Sequence, residues 1–325
     1  MMFIRSELIG LGHYLPAKVL TNDDLSHMVE TSDEWIRTRT GICSRHIVED
    51  ETTSVIAYNA AKNALENAKI TAGDVDLLIL ATVTSDNTTP STAAKVAGKL
   101  GLKAGTPAFD ISAACSGFVY ALTMADNMIR LGQIKTAVII GAECLSKIVD
   151  WTDRNTCVLF GDGAGAAVLR ATEGKGDKTD TGVLSTKLYA DGSFYENLYT
   201  TGGVSTTQTA GFVSMNGKEV FKHAVVSLTE AAETAMQLAG IEKDEIDWLV
   251  PHQANIRIIE SVGERLNLEK EKVIVALDHH GNTSAASIPL ALSENMQKGK
   301  LKKGQLIVLT AMGAGFTWGG AVIRL

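Results

Sequence analysis

Apolar residues along this chain fall into two alternating patterns. Short unbroken runs, Leu77–Leu80, Ala137–Ile140, Val273–Leu277 and Leu306–Leu309, predict strands buried on both faces. Gly117–Leu131 and Ile256–Leu266 instead place apolar residues every three or four positions, which predicts amphipathic helices. Strands and helices in alternation predict an α/β protein with layers built around buried sheets. The stretch Glu173–Gly211 breaks the pattern, being rich in Gly, Thr, Asp and Lys. It predicts loops and hairpins inserted between two halves, not a disordered linker.

The pattern also repeats. Ala60, Ala61, Ala64 and Ala68 recur 171 positions later as Ala231, Ala232, Ala235 and Ala239. At the same offset Ile70, Val75, Asp76 and Leu78 become Ile241, Ile246, Asp247 and Leu249. Each copy reads as an alanine-rich helix, a turn and a strand, Val75–Thr82 in one and Ile246–Pro251 in the other. Ala167-Val168-Leu169-Arg170 resembles Ala321-Val322-Ile323-Arg324, and a glycine-rich approach precedes each. A duplicated unit follows, with halves at 1–172 and 216–325 and the insert at 173–215.

Composition narrows the class. The chain has 325 residues, 45% hydrophobic, with a formal net charge of −7. That is a globular composition, neither disordered nor fibrous. A net acidic chain without a basic block argues against nucleic acid as a partner. Arg5, Glu7 and His13 interrupt the N-terminal apolar stretch, so it does not read as a signal peptide. No apolar run approaches the roughly 18–20 residues needed to cross a bilayer, which argues against a membrane partner. Cys43, Cys115, Cys144 and Cys157 are too sparse for a disulfide scaffold. The expected compartment is a reducing cytoplasm.

Three polar residues stand where strands run into helices. Cys115 follows the apolar run of Pro107–Phe118 and precedes a helix. Free N–H groups and the helix dipole there favour a thiolate nucleophile; a buried inert cysteine is the other reading. His252 directly follows the strand Ile246–Pro251, at the rim where α/β proteins place ligands, or it is an ordinary capping histidine. Asn282 follows the turn at Gly281, where asparagine is often structural. After the last apolar run, Met312-Gly313-Ala314-Gly315-Phe316 predicts a glycine turn whose N–H groups suit an oxyanion, or simply a tight turn. His279 and His280 are adjacent but lack a third ligand in sequence, so no metal site is expected. The glycines at 161–165 lack dinucleotide spacing and run into a strand.

The residues resemble a known family. Asp33-Glu34-Trp35-Ile36, Thr38-Arg39-Thr40-Gly41-Ile42, Ala113-Ala114-Cys115-Ser116-Gly117-Phe118 and Asp153-Arg154 are similar to motifs of β-ketoacyl-acyl-carrier-protein synthase III, of the thiolase fold. So are Phe160–Ala166, Met215–Phe221, Pro251-His252-Gln253-Ala254-Asn255, His280-Gly281-Asn282-Thr283-Ser284 and Gly315-Phe316-Thr317-Trp318-Gly319. The resemblance runs nearly end to end. It implies a duplicated, thiolase-like αβαβα layered fold, and a homodimer.

It also implies a reaction. A short acyl-CoA, typically acetyl-CoA, would acylate Cys115. Malonyl-acyl carrier protein would then lose carbon dioxide and attack the acyl thioester, starting type II fatty acid synthesis. His252 and Asn282 would stabilise the enolate, and the backbone N–H of Cys115 with that of Ala314 (or Gly315) would hold the thioester oxygen. Trp35 and Arg154 would sandwich the CoA adenine. Arg39, Gly217, Ala254 and Asn255 would line the pantetheine tunnel, with Phe160 and Thr89 at the substrate. Gln253, Ala254, Asn255, Ile256 and Arg257, with Lys222, would dock the acidic carrier protein. Thr89 stands where some relatives carry Phe, which would leave room for longer primers. No cofactor is implied, since the CoA thioester is a substrate. A sister enzyme with another primer, a Cys-His-Asn hydrolase and a non-catalytic acyl-CoA-binding module are the alternatives.

Overall fold

The computed structural model describes residues 3–325. The N-terminal half begins with the long strand β1 (Phe3–Tyr14). Strands β2 (Lys18–Thr21) and β3 (Ser44–Ile47) pair with each other and bracket helices α1 (Asn22–Ser26) and α2 (Asp33–Thr40). There follow α3 (Thr53–Ala68), β4 (Leu77–Ala81), α4 (Thr92–Leu100), β5 (Ala108–Ile111) and α5 (Gly117–Arg130). β6 (Thr136–Glu143), the single turn α6 (Arg154–Cys157) and β7 (Gly163–Gly174) complete this half.

The second half opens with β8 (Gly182–Ala190) and the small pair β9 (Leu198–Thr200) and β10 (Val213–Met215). It continues with α7 (Gly217–Ala239), β11 (Trp248–Pro251), α8 (Ile256–Arg265), α9 (Leu277–His280) and α10 (Ser287–Gln297). The hairpin of β12 (Leu306–Gly313) and β13 (Thr317–Arg324) ends it.

The two halves share one plan. The first sheet runs β1-β7-β6-β4-β5, and the second runs β8-β13-β12-β11. In both, the two strands at one edge are antiparallel to their neighbours, and the pairs on the other side, β4–β6 and β11–β12, are parallel. Helix α3 packs on the first sheet and α7 on the second, as the repeated alanines predict. Ala60, Ala61 and Ala64, and Ala231, Ala232 and Ala235, are fully buried, because small side chains let helix and sheet approach closely. Helices α5 and α10 touch strands of both sheets and form the layer between them. The result is the expected αβαβα order.

Two expectations change. Gly182–Ala190 lies inside the stretch read as inserted loops, yet it is the edge strand of the second sheet, paired with β13. Its first four residues are buried, and its later ones alternate less regularly, which hid it in the sequence. Val273–Leu277 was expected to be a strand and instead makes an isolated bridge, Leu249 to Val273. The Gln253 side chain takes the place of a ladder there. Its Nε2 donates to the Ile274 carbonyl at 3.2 Å, and its Oε1 accepts from the Ala276 N–H at 2.7 Å. Among the described residues no helix is long and apolar enough to cross a membrane.

Candidate active site

Cys115 sits where β5 gives way to α5, in the tight helical turn Ala114–Ser116. Ala114 opens that turn at φ 45°, a left-handed conformation that an alanine adopts under strain. The Ser116 hydroxyl holds the turn by donating to the Ala113 carbonyl at 2.7 Å and lies 2.8 Å from Thr317 Oγ1. Thr317 reaches the carbonyls of Ala113 at 3.1 Å and Ala314 at 3.0 Å. The nucleophile turn is thereby fastened to the glycine turn after β12. Gly313 has to be glycine, since a Cβ there would lie 2.5 Å from the Cys115 nitrogen.

Cys115, Ala314, Phe160, Ser284 and Gly315 line one cavity of about 450 Å³. Tyr195, Leu198 and Val213, all from the stretch read as inserted loops, form part of its wall. The N–H groups of Cys115 and Ala314 have no backbone acceptor among the described residues. Both are free to hold an oxyanion.

His252 follows β11, and its N–H is bound by the Thr310 carbonyl at 2.8 Å. The imidazole is buried, with Nδ1 2.7 Å from Ser287 Oγ. Ser287 Oγ also accepts the Gln253 N–H at 3.4 Å and has one proton of its own to give. With that proton donated to Nδ1, the ring proton sits on Nε2. Burial lowers the His252 pKa to about 4, so the ring is neutral at physiological pH.

Asn282 is fixed through its backbone, whose N–H donates to the Leu159 carbonyl at 2.8 Å and whose carbonyl accepts from Gly161 at 3.0 Å. Its Oδ1 accepts the Ser284 N–H at 2.9 Å, which leaves the NH2 group as the outward donor. The turn Ser284–Ala286 packs against the turn Ala114–Ser116. Asn282 stands at the start of the first of these turns and Ser287, the partner of His252, just past its end. The fold thus gathers the three predicted polar residues around one pair of turns, equivalent in the two halves.

The surroundings of Cys115 work against the thiolate expected at the helix start. Burial pushes the Cys115 thiol up to about 12; the Ser284 hydroxyl favours the anion, and the Glu143 carboxylate opposes it. Cys144 and Cys157 are buried away from this cavity.

The expected CoA residues form a second group. Trp35 is capped into α2 by Ser32, whose Oγ accepts the Trp35 N–H at 3.1 Å. The Arg39 guanidinium lies 4.4 Å and the Arg154 guanidinium 4.9 Å from its ring centroid. Trp35 and Arg154 are therefore stacked directly on each other, and an adenine would have to part them. Asn255 caps α8, with Oδ1 accepting from the Arg257 N–H at 2.9 Å and Nδ2 donating to the Arg39 carbonyl at 3.0 Å. Arg257 reaches the Thr38 carbonyl at 3.1 Å, so α2 and the start of α8 form one surface. Ala254 and Ile256 are half-buried beside it, while Arg257 and Lys222 are exposed.

Three positions depart from expectation. Gln253 cannot meet a carrier protein through its side chain, which is 1% exposed and wholly engaged in bracing the 274–276 segment. Gly217 opens α7 at the surface and lines a different hollow, with Asp150, Asp153 and Lys218. Thr89 is exposed and lies outside the Cys115 cavity.

One premise also changes. A third group does join His279 and His280: Glu294 Oε1 lies 3.3 Å and 3.1 Å from their Nε2 atoms. The hydrogen bonds to Asp278 and Glu294 raise the His279 pKa to about 9. At neutral pH this cluster is an ion-paired network.

The comparisons bear on this arrangement. The model of the 3-oxoacyl-[acyl-carrier-protein] synthase III C-terminal region matches residues 236–325, and the companion model of 3-oxoacyl-[acyl-carrier-protein] synthase III matches residues 109–192. A beta-ketoacyl-[acyl-carrier-protein] synthase III of Rhodospirillum centenum is 57% identical, over 99% of this chain and 100% of its own. The chain belongs to the beta-ketoacyl-[acyl-carrier-protein] synthase III family. A second synthase III, of Paramagnetospirillum magneticum, is 55% identical over 100% of both chains. The crystal structure of the synthase III of Aquifex aeolicus superposes with a TM-score of 0.92 at 50% identity, covering 98% of this chain and 100% of that one.

Sequence reasoning passed over three residues of this synthase III fold. Ser284 ends the motif His280–Ser284 and Ser287 lies three residues beyond it, but neither serine carries a chemical signature alone. Glu143 ends the apolar strand β6, and a carboxylate closing a buried strand was the available signal.

Proposed function

We propose that the protein condenses a short acyl-CoA primer with malonyl-acyl carrier protein. The products are a 3-ketoacyl-carrier protein, carbon dioxide and CoA. The observation that supports this reading is the pair of packed turns at Cys115 and Ser284. Cys115 and Ala314 line one cavity and their N–H groups have no backbone acceptor among the described residues, while Ser287 and the Ser284 N–H orient His252 and Asn282 at the second turn.

Each step uses a group that the protein itself supplies. The thioester carbonyl of the primer enters the cavity, and its oxygen accepts from the two N–H groups as sulfur attacks carbon. CoA leaves, and the primer stays on Cys115. Malonyl-carrier protein then brings its thioester oxygen to His252 Nε2 and Asn282 Nδ2. Loss of carbon dioxide places negative charge on that oxygen, where two preorganised donors stabilise it without reorganisation. The neutral His252 suits this role, because it donates a hydrogen bond without giving up a proton. The enolate carbon attacks the acyl thioester, and the Cys115 thiolate leaves and takes up a proton. The CoA thioester is a substrate, and this route asks for no further cofactor.

The joined surface of α2 and α8, with Arg257 and Lys222 exposed, supplies cations for an acidic carrier protein. Asn87, Thr88 and Val204 line a second opening of about 730 Å³ that shares Val83, Ile148 and Thr200 with the Cys115 cavity. The opening, open to solvent in a single chain, is where a second copy would sit in a homodimer, with Thr89 beside the primer end. The reaction is tested by supplying acetyl-CoA and labelled malonyl-carrier protein and following label into carbon dioxide and 3-ketoacyl product. Release of free acetate without a ketoacyl product would favour a hydrolase instead.

A further inference from the structure

Glu143 closes β6 with its side chain wholly buried. Among the described residues no cation pairs with it; four neutral donors do. Oε2 accepts from Thr82 Oγ1 at 3.2 Å, the Val83 N–H at 3.1 Å and Thr84 Oγ1 at 3.0 Å. Oε1 accepts from Ser284 Oγ at 3.1 Å. A carboxylate taken from water into such a site is costly to ionise. Burial accordingly raises its pKa to about 7, against the pull of those hydrogen bonds.

Ser284 connects this carboxylate to the site. Its hydroxyl donates to Glu143, its side of the packed turns lines the same cavity as Cys115, and its N–H orients Asn282. It holds φ 49°, matching Ala114 at φ 45° in the equivalent turn of the other half. A serine kept in the left-handed region is strained, and the surrounding turn has to impose that conformation.

Acylation requires a proton acceptor that the known site does not offer. Cys115 rests as a thiol, and His252 is too weak a base, with burial lowering it to about 4. We propose that Glu143, acting through the Ser284 hydroxyl, receives the proton that Cys115 gives up on acylation and returns it to the departing CoA sulfur. The proposal rests on Cys115 being the acylated nucleophile. As the sulfur bonds to the thioester carbon, its proton passes to Ser284 Oγ and the Ser284 proton passes to Glu143 Oε1. The bond from carbon to the CoA sulfur breaks, and the CoA thiolate takes a proton back along the same path. Glu143 ends ionised, as it began. The other titratable group that feels its charge is Cys144, which itself faces Asp162 and Lys147; the groups offered from the end of β4 are neutral hydroxyls and an N–H.

The test is single-turnover transfer from acetyl-CoA to Cys115, quenched and read by mass, in wild type, Glu143→Gln and Ser284→Ala as a function of pH. The wild-type rate is expected to rise with pH and level off above about 7. Both variants are expected to be slower above that pH by on the order of 10²-fold and to lose the rise. A merely structural role would slow the reaction at every pH and keep it. Should Glu143→Gln not fold, Ser284→Ala, which retains the carboxylate, decides alone. A folded variant with the wild-type rate and pH profile would overturn the relay. Wild-type protein whose Cys115 takes no acetyl group would overturn the nucleophile reading beneath it.

Discussion

His252 Nδ1 and the Ser287 hydroxyl lie 2.7 Å apart, and this contact decides which ring nitrogen carries the proton. With Ser287 donating, Nε2 becomes the donor that an enolate oxygen needs. Ser287→Ala is expected to slow malonyl decarboxylation by about fivefold, the equivalent of one hydrogen bond of roughly 1 kcal/mol. Acylation of Cys115 should be untouched. Equal losses in both half-reactions would show that Ser287 acts on packing instead.

Removing an enolate donor outright should do more. His252→Ala and Asn282→Ala are each expected to lower condensation by on the order of 10²–10³. Acetyl transfer from CoA to Cys115 should survive in both. Loss of that first transfer would place these residues in acylation, not decarboxylation.

Glu143 also predicts a pH dependence of stability. Its folded pKa is raised from 4.5 to about 7, so the folded state binds more protons between those values than the unfolded chain. Stability from this group therefore falls as pH rises through that window. Glu143→Gln, which cannot ionise, should gain Tm relative to wild type from about pH 4.5 up to about 7 and hold the gain above. A difference in Tm that does not change with pH would contradict the buried, unpaired carboxylate. The buried His252 acts in the other direction. Its pKa is lowered from 6.5 to about 4, so the unfolded state binds more protons there and stability falls as pH falls through that range.

Trp35 is the stacking platform for two guanidiniums. Exposed cation–π contacts contribute about 0.5–1 kcal/mol each. Trp35→Ala is expected to raise KM for acetyl-CoA several-fold and leave kcat nearly unchanged. A fall in kcat with unchanged KM would remove Trp35 from CoA binding.

Much of this architecture was legible because it depends on period and repetition. The alanines of α3 and α7 revealed the duplication, since a helix pressed on a sheet tolerates little else. Cys115 and His252 were legible as polar residues at strand ends; Asn282 was legible as the residue after the turn at Gly281, although it follows the short helix α9 and not the strand expected there. What stayed hidden depends on contacts between distant segments. Gln253 looked like a surface residue of a motif, but it substitutes for a strand that Val273–Leu277 does not form. β8 lay unseen inside a polar stretch because its partner, β13, is more than a hundred residues away. Glu294 joins His279 and His280 across a turn, and no spacing rule announces it. The groups that weigh against a Cys115 thiolate were hidden for a similar reason: the helix start was visible, the Glu143 carboxylate behind it was not.

The most direct measurement of the central claim is the mass of the Cys115 peptide after mixing with acetyl-CoA, and again after adding malonyl-carrier protein. The account predicts an acetyl adduct on that peptide, then its discharge as 3-ketoacyl-carrier protein appears. An adduct on another residue, or an adduct that malonyl-carrier protein leaves in place, would contradict it.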